Sequence, residues 1–302
     1  MWVMPDSPMP SSSVQAARLR LGGQLRKIRE ASGLSGRDFA RRAGWADATS
    51  VTKVEKGQRA ITADHIRLWC RLCGVSDLRR DELLADQESV ARMWVSNREL
   101  GRKIGLNATQ RMTIGEMFAQ VSSVRTYQTK VVPGLLQTPG YMTGVLRGVR
   151  RERHVEPDDV TEAVTERLAR QRWLRVPGKR FEFMLEEAVL RYRPYGDDVH
   201  HEQLLHLMEV SRLPAVTLWI VPMDVDREGV RPRESFDINT FPGHREVMVE
   251  LLSGLLTLNH LDDLEMYQTA WDDLRSIAVR GAEARALVRR ALERLDPGRG
   301  DG

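Results

Sequence analysis

The stretch LSGRDFARRAGWADATSVTKVEKG, from Leu34 to Gly57, decides how the front of this chain folds. Ser35 offers a side-chain oxygen to cap a helix, with Asp38 three residues on. Phe39, Ala40 and Ala43 supply that helix with an inner face, and Gly44 stops it at a tight turn. Asp47 is a second N-cap, opening a helix over about Ala48 to Lys56 that Gly57 terminates. Val51 and Val54 fall three apart, on one face, and point inward. Thr49, Thr52 and Lys53 then point outward. Two short helices joined by a glycine turn let the second project from its domain, where it can enter the major groove of duplex DNA.

Working outward, Leu21, Leu25 and Ile28 recur at helical spacing between Leu19 and Ala31, and Gly33 closes that helix. Thr62 caps a fourth helix carrying Ile66, Leu68, Trp69 and Leu72. Ser76 caps a fifth with Leu78, Leu83 and Leu84. No strand is expected from Arg18 to Ala85, so the front is an all-α five-helix domain over residues 18–86. A Pro/Ser/Met-rich disordered tail, 1–17, precedes it. That tail lacks the basic start and apolar run of a signal peptide. Asp86 to Gly101 reads as a further helix within a helical connection, 87–112.

Charge supports a nucleic-acid partner for the front. Residues 1–80 hold 15 Lys/Arg against 7 Asp/Glu, whereas residues 81–302 hold 31 against 35. A basic domain attracts phosphate, and a mildly acidic remainder implies a different partner. Thr can contact base edges or a thymine methyl, and Lys can donate to guanine, so Thr49, Thr52 and Lys53 are candidate base readers. Arg37, Lys56 and Arg59 flank them and suit phosphates, which position a domain without specifying sequence. A helical module used only for protein contacts is the competing reading.

At these residues the chain resembles the lambda/434 repressor-type (XRE) helix-turn-helix family. The resemblance rests on Leu34 to Gly44 and on Val51-Thr52-Lys53-Val54-Glu55-Lys56-Gly57. It implies that Ala48, Thr49 and Lys53 occupy base-reading positions and that the backbone near Gly36 meets phosphate. The segment Trp45 to Ser50 is one residue longer than the family's usual turn, which leaves the start of the reading helix open by one residue.

Beyond residue 112 the pattern becomes α+β, over 113–295, with a second disordered tail at 296–302. Thr113 to Tyr127 has helical character. Pro133-Gly134 is a turn, and Thr138 before Pro139 starts a helix with Tyr141, Met142, Val145 and Leu146. Another helix spans about Pro157 to Leu174, with Arg167, Arg170 and Arg172 read as a solvated face. Strands are expected at Phe181–Leu185, Val216–Val221, Ser235–Thr240, Val247–Leu252 and Leu255–Leu258. A helix lies over His200–Ser211, and a helix pair over Asp262–Leu295.

Val132 to Thr138, Arg167 to Gln171, Glu186 to Arg191, Gln203-Leu204, Val221-Pro222 and Val249-Glu250 follow in that order. They resemble the C-terminal domain of actinobacterial antitoxin-like helix-turn-helix regulators. That resemblance implies a transcriptional regulator paired with a small protein encoded next to it. An antitoxin that mainly sequesters such a partner, binding DNA only for autoregulation, is the alternative.

Catalysis is not expected. No G-x-S-x-G elbow, Walker loop, H-E-x-x-H or G-x-G-x-x-G occurs. His200-His201-Glu202 with His206 has poor spacing for a shared ion. Cys70 and Cys73 lack a second ligand pair, so they read as core residues of a reducing compartment. No metal or cofactor is expected. No stretch approaches the roughly 20 apolar residues of a membrane span. The expectation is a cytoplasmic, nucleoid-associated homodimer on double-stranded DNA, with no membrane partner.

Overall fold

The computed structural model describes residues 12–96, 106 and 117–295. The expected tail at 296–302, most of the tail at 1–17 and most of the connection at 87–112 lie outside the described residues. The chain divides into two compact units, Met1–Val95 and Ser96–Gly302.

The first unit is built on five helices: α1 Ser12–Ala31, α2 Gly36–Ala43, α3 Ala48–Glu55, α4 Ala63–Cys73 and α5 Asp77–Arg92. Helix α1 begins at Ser12, so residues 12–17 are helical and not part of a tail. The helix expected over Asp86 to Gly101 is the end of α5, which stops at Arg92, and Trp94–Ser96 is extended strand instead. Asp77 to Arg92 contains neither Gly nor Pro, and α5 runs unbroken through it. Leu25, Phe39, Val54, Ile66, Trp69 and Leu83 are fully buried and form one core from all five helices. Phe39 lies 4.2 Å from Trp69, and Trp45 lies 5.6 Å from it at 62°. Such tilted contacts suit the ring quadrupole. Cys70 is buried in this core, and burial pushes its thiol up.

Seven strands lie wholly within the second unit: β1 Ser123–Gln128, β2 Arg180–Glu186, β3 Val216–Val221, β4 Phe236–Phe241, β5 His244–Leu251, β6 Gly254–Leu258 and β7 Val279–Arg280. They form one mixed sheet in the order β6-β5-β4-β1-β2-β3-β7. The β1–β2 and β2–β3 pairs are parallel, and the others are antiparallel. Two of the parallel strands read as near-continuous apolar runs, Phe181–Leu185 and Leu218–Val221, because both of their faces are covered. The helices are α6 Met117–Gln120, α7 Pro139–Arg153, α8 Val160–Arg170, α9 Asp197–Val210, α10 Leu261–Ile277 and α11 Ala282–Leu295. Helices α9 and α11 share a core with Phe181, Phe183, Leu185, Leu218 and Ile220, while α10 packs on β5 and β3.

The architecture is therefore all-α followed by α+β. Two local expectations fail here. Residues 123–128 form a central strand and not a helix, paired with β2 on one side and β4 on the other. The final helix pair is interrupted by β7, whose Val279 pairs with Ile220 and Arg280 with Trp219.

Candidate nucleic-acid interface

Local capping sets the geometry of α2 and α3. The Ser35 hydroxyl accepts from Asp38 N at 3.1 Å and donates to the Asp38 carboxylate at 2.6 Å, which holds that carboxyl below its ordinary range. Gly44 takes the left-handed conformation, with φ 70°, and its N–H closes back on α2. Trp45 N then donates to Ala40 O at 2.8 Å, and its ring lies among Phe39, His65 and Trp69. The turn is thus held by a tryptophan whose ring packs on the core. Asp47 accepts from Thr49 N at 2.8 Å and Ser50 N at 3.2 Å, fixing the start of α3 at Ala48.

Three features hold α3. Val51 and Val54 are buried. Gly22 lets α1 cross closely, because a Cβ there would stand 2.5 Å from Glu55 O. Arg29 and Glu55 form a buried two-pronged pair, Nε to Oε1 at 2.6 Å and Nη2 to Oε2 at 2.9 Å. Arg29 Nη1 also donates to Leu34 O at 2.7 Å, beside the α2 cap. One guanidinium therefore ties α1, the end of α3 and the beginning of α2 together, and the paired carboxylate raises its pKa. A planar fork suits this geometry where an ammonium would not. The sequence reading missed it, taking Glu55 only as a motif letter and not weighing Arg29. The available signal was spacing, since Arg29 lies four residues after Leu25 on the inward stripe of α1.

With α3 so held, Thr49, Thr52 and Lys53 are exposed along one side of it. Thr52 Oγ1 donates to Ala48 O at 3.1 Å, leaving its lone pairs outward. Ala48 is half-buried, facing Gly36, where an added Cβ would lie 3.9 Å from the Ala48 Cβ. Arg37, Lys56 and Arg59 are exposed. Gly57, with φ 61°, turns the chain back after α3, so that Gln58 N and Arg59 N both donate to Lys53 O, at 2.9 and 3.2 Å. Arg59 also helps burial lower the His65 pKa. The structure thus gathers the predicted base readers on one helix, with Arg37 and Gly36 at the start of its neighbour.

Several motifs of the second unit turn inward. Gln203, fully buried, accepts from Thr138 N at 2.8 Å and donates to Leu136 O at 2.7 Å. Gln137 donates to Val132 O at 2.6 Å, and Gln171 to Gln137 O at 2.7 Å. Two distant motif pieces, Gln171 and Gln203, therefore pin the 132–138 segment, which packs as scaffold. Glu186 accepts from Tyr127 Oη at 2.6 Å and from Arg227 at 3.1 Å. Glu250 accepts from Arg153 at 2.7 Å. The arginine side expected to be solvated is so only at Arg172, which is exposed in the turn after α8. Arg170 is buried, and burial pushes the Arg167 pKa down to about 10. Arg172 lies 5.0 Å from the Trp173 ring. His200 is a buried core residue whose Nε2 meets Leu190 O at 2.8 Å.

Capped α2, glycine turn and outward-facing α3 define a helix-turn-helix. Residues 20–83 match the family described as helix-turn-helix domain, which makes the chain a DNA-binding regulator of that class. Residues 112–290 match the family described as domain of unknown function (DUF5753). That match spans more than half of the chain, which belongs to the DUF5753 family. No curated protein and no solved structure matches it. Among the described residues, no helix is long and apolar enough to cross a membrane.

Proposed function

We propose that this protein is a sequence-specific transcriptional regulator of the lambda/434 repressor (XRE) type. It reads an operator by laying α3 in the major groove, with Ala48, Thr49, Thr52 and Lys53 toward base edges. Arg37, Lys56, Arg59 and the Gly36 backbone take phosphates. It works in the cytoplasm, on the nucleoid, as a homodimer on two half-sites about one helical turn apart. The second unit binds a protein partner or signal, with a small protein encoded next to this gene as the first candidate. It acts by occupancy and not by catalysis.

One observation carries this reading. The exposed face of α3 bears Thr49, Thr52 and Lys53, while its opposite face is fixed by Val51, Val54 and the Arg29–Glu55 pair. Reading bases requires such a preorganised helix with uncommitted polar ends.

Fluorescence anisotropy on the gene's own upstream DNA, against scrambled DNA across a salt series, tests it. The expected preference is ~10³-fold or more. Lys53→Ala should cost about 1–3 kcal/mol and erase much of that preference. Equal, weak and salt-sensitive binding to both duplexes would sink sequence-specific reading. A monomer in sedimentation, on and off DNA, would sink the dimer.

A further inference from the structure

The segment Gln171 to Phe181 carries four cations and no acid: Arg172, Arg175, Lys179 and Arg180. Its first part, Gln171–Arg175, is a 3₁₀ turn directly after α8. In that geometry residues i and i+3 eclipse, so the side chains of Arg172 and Arg175 leave on the same side, about 6 Å apart along the axis. Arg172 lies 5.0 Å from the Trp173 ring and Lys179 lies 5.1 Å from it, so a third cation stands close by. Gln171 ties the turn to the 132–138 scaffold through Gln137 O, which fixes its position.

Elsewhere in this unit arginines meet carboxylates, as Arg125 does Glu182, Arg153 does Glu250 and Arg227 does Glu186. Among the described residues, neither Arg172 nor Arg175 makes an ion pair or a side-chain hydrogen bond, and both are exposed. Like charges one turn apart repel, and the fold supplies neither with a counter-charge. The two arginines line a pocket of about 220 Å³ together with Gln171, His206, Glu209 and Leu213. Glu209, the one carboxylate in that lining among the described residues, faces His206, with Oε2 4.0 Å from Nδ1. Burial lowers the His206 pKa against the pull of Glu209 and Glu202, and Arg175 adds to the lowering. His206 is therefore neutral near pH 7, and the pocket holds two positive charges against one negative.

We propose that this pocket binds a small molecule bearing a phosphate monoester, with the dianionic head group bridging Arg172 and Arg175. Guanidinium forks fit phosphate oxygens in pairs, and two forks match two charges. A DNA duplex fits this place less well. Its phosphates lie along a charged rail too broad for a pocket of this size, and exposed Glu209 repels it. This inference rests on the signal-binding role proposed for the second unit, and it names the class of that signal.

Isothermal titration calorimetry on the full-length chain tests it, with glycerol phosphate, inorganic phosphate and glycerol as probes. Wild type should bind both phosphates, more weakly as salt rises, and should not bind glycerol. Arg172→Ala with Arg175→Ala should weaken binding by about tenfold or more. The pair Arg172→Lys with Arg175→Lys keeps the charge, loses the forks, and should give an intermediate loss. Arg289→Ala, exposed on α11 and outside the pocket, should leave affinity unchanged. No phosphate binding by wild type, equal binding of glycerol, or binding undiminished in the double alanine variant would overturn the proposal. Operator binding and capture of the small protein encoded next door should be the same in that variant as in wild type. Loss of the first would make the arginines a DNA contact, and loss of the second a protein-docking face; either would overturn the small-molecule assignment. Neither of these assays needs a phosphate probe, so they report on DNA reading and on the partner role separately from the pocket.

Discussion

The two most motif-dense stretches of this protein use their polar residues in opposite ways. From Ala48 to Lys56, the side chains of Thr49, Thr52, Lys53 and Lys56 point to solvent on a helix anchored from behind. From Val132 to Thr138, Gln137 and Thr138 are buried, and their hydrogen bonds are spent on neighbouring backbone and on Gln171 and Gln203. Both stretches read as distinctive sequence. Only the first presents groups that another molecule can use. What separates them is side-chain direction, which follows from what lies behind each backbone.

The comparison breaks if either polar set changes roles on mutation. The largest expected effect is at the anchor of the outward stretch. Glu55→Ala leaves the Arg29 guanidinium buried without its carboxylate, and breaking such a pair costs about 3–5 kcal/mol. Thermal unfolding followed by circular dichroism should show the helical unit melting far earlier, with DNA binding lost. A variant as stable as wild type would mean that α3 is held by the apolar core alone.

Next is the inward stretch. Gln203→Leu orphans Thr138 N and Leu136 O, two buried backbone groups at about 1–3 kcal/mol each. If the 132–138 segment were a binding surface and not scaffold, this variant would keep its stability. A lost or broadened unfolding transition is the expected outcome.

Asp237 gives a smaller, pH-dependent effect. It accepts from Thr126 Oγ1 at 2.6 Å, and burial pushes its carboxyl up to about 6. The unfolded value is about 3.9. The folded state therefore binds the proton more tightly. This group's contribution is complete below about pH 4 and is lost as pH rises through about 6. Asp237→Asn should stabilise the second unit by about 1–2 kcal/mol at pH 7.5 and flatten the pH 4–6 slope. An unchanged slope in urea titrations would show that the carboxyl is hydrated.

The smallest effect in stability is the sharpest for the outward face. Arg37→Ala should leave unfolding unchanged, weaken binding to every duplex alike, and lower the salt slope by about one. A loss confined to the operator would make Arg37 a base reader and not a phosphate contact.

Much of the first unit was legible beforehand, because its signals are local. Ser35, Asp47 and Thr62 cap the helices that their positions announce. Val216–Val221 appears as read, and Thr138 with Pro139 opens α7. The errors share a cause. Residues 123–128 carry Val124, Thr126 and Tyr127, a β-favouring set, yet their pattern suits either element; pairing to both β2 and β4 makes them a strand. Arg167 and Arg170 are charged and sit at helical spacing, so exposure is the default, which packing overrides.

The sequence by itself determined where helices begin and stop in the first unit, and that α3 carries Thr49, Thr52 and Lys53 away from Val51 and Val54. Caps, glycine turns and a 3.6-residue period act within a few neighbours, so their consequences are written locally. Only the tertiary structure decided the Arg29–Glu55 clamp, the convergence of Gln171 and Gln203 on the 132–138 segment, and the short β7 pairing to the β3 edge. Each joins residues far apart along the chain, and their meeting depends on how whole elements pack.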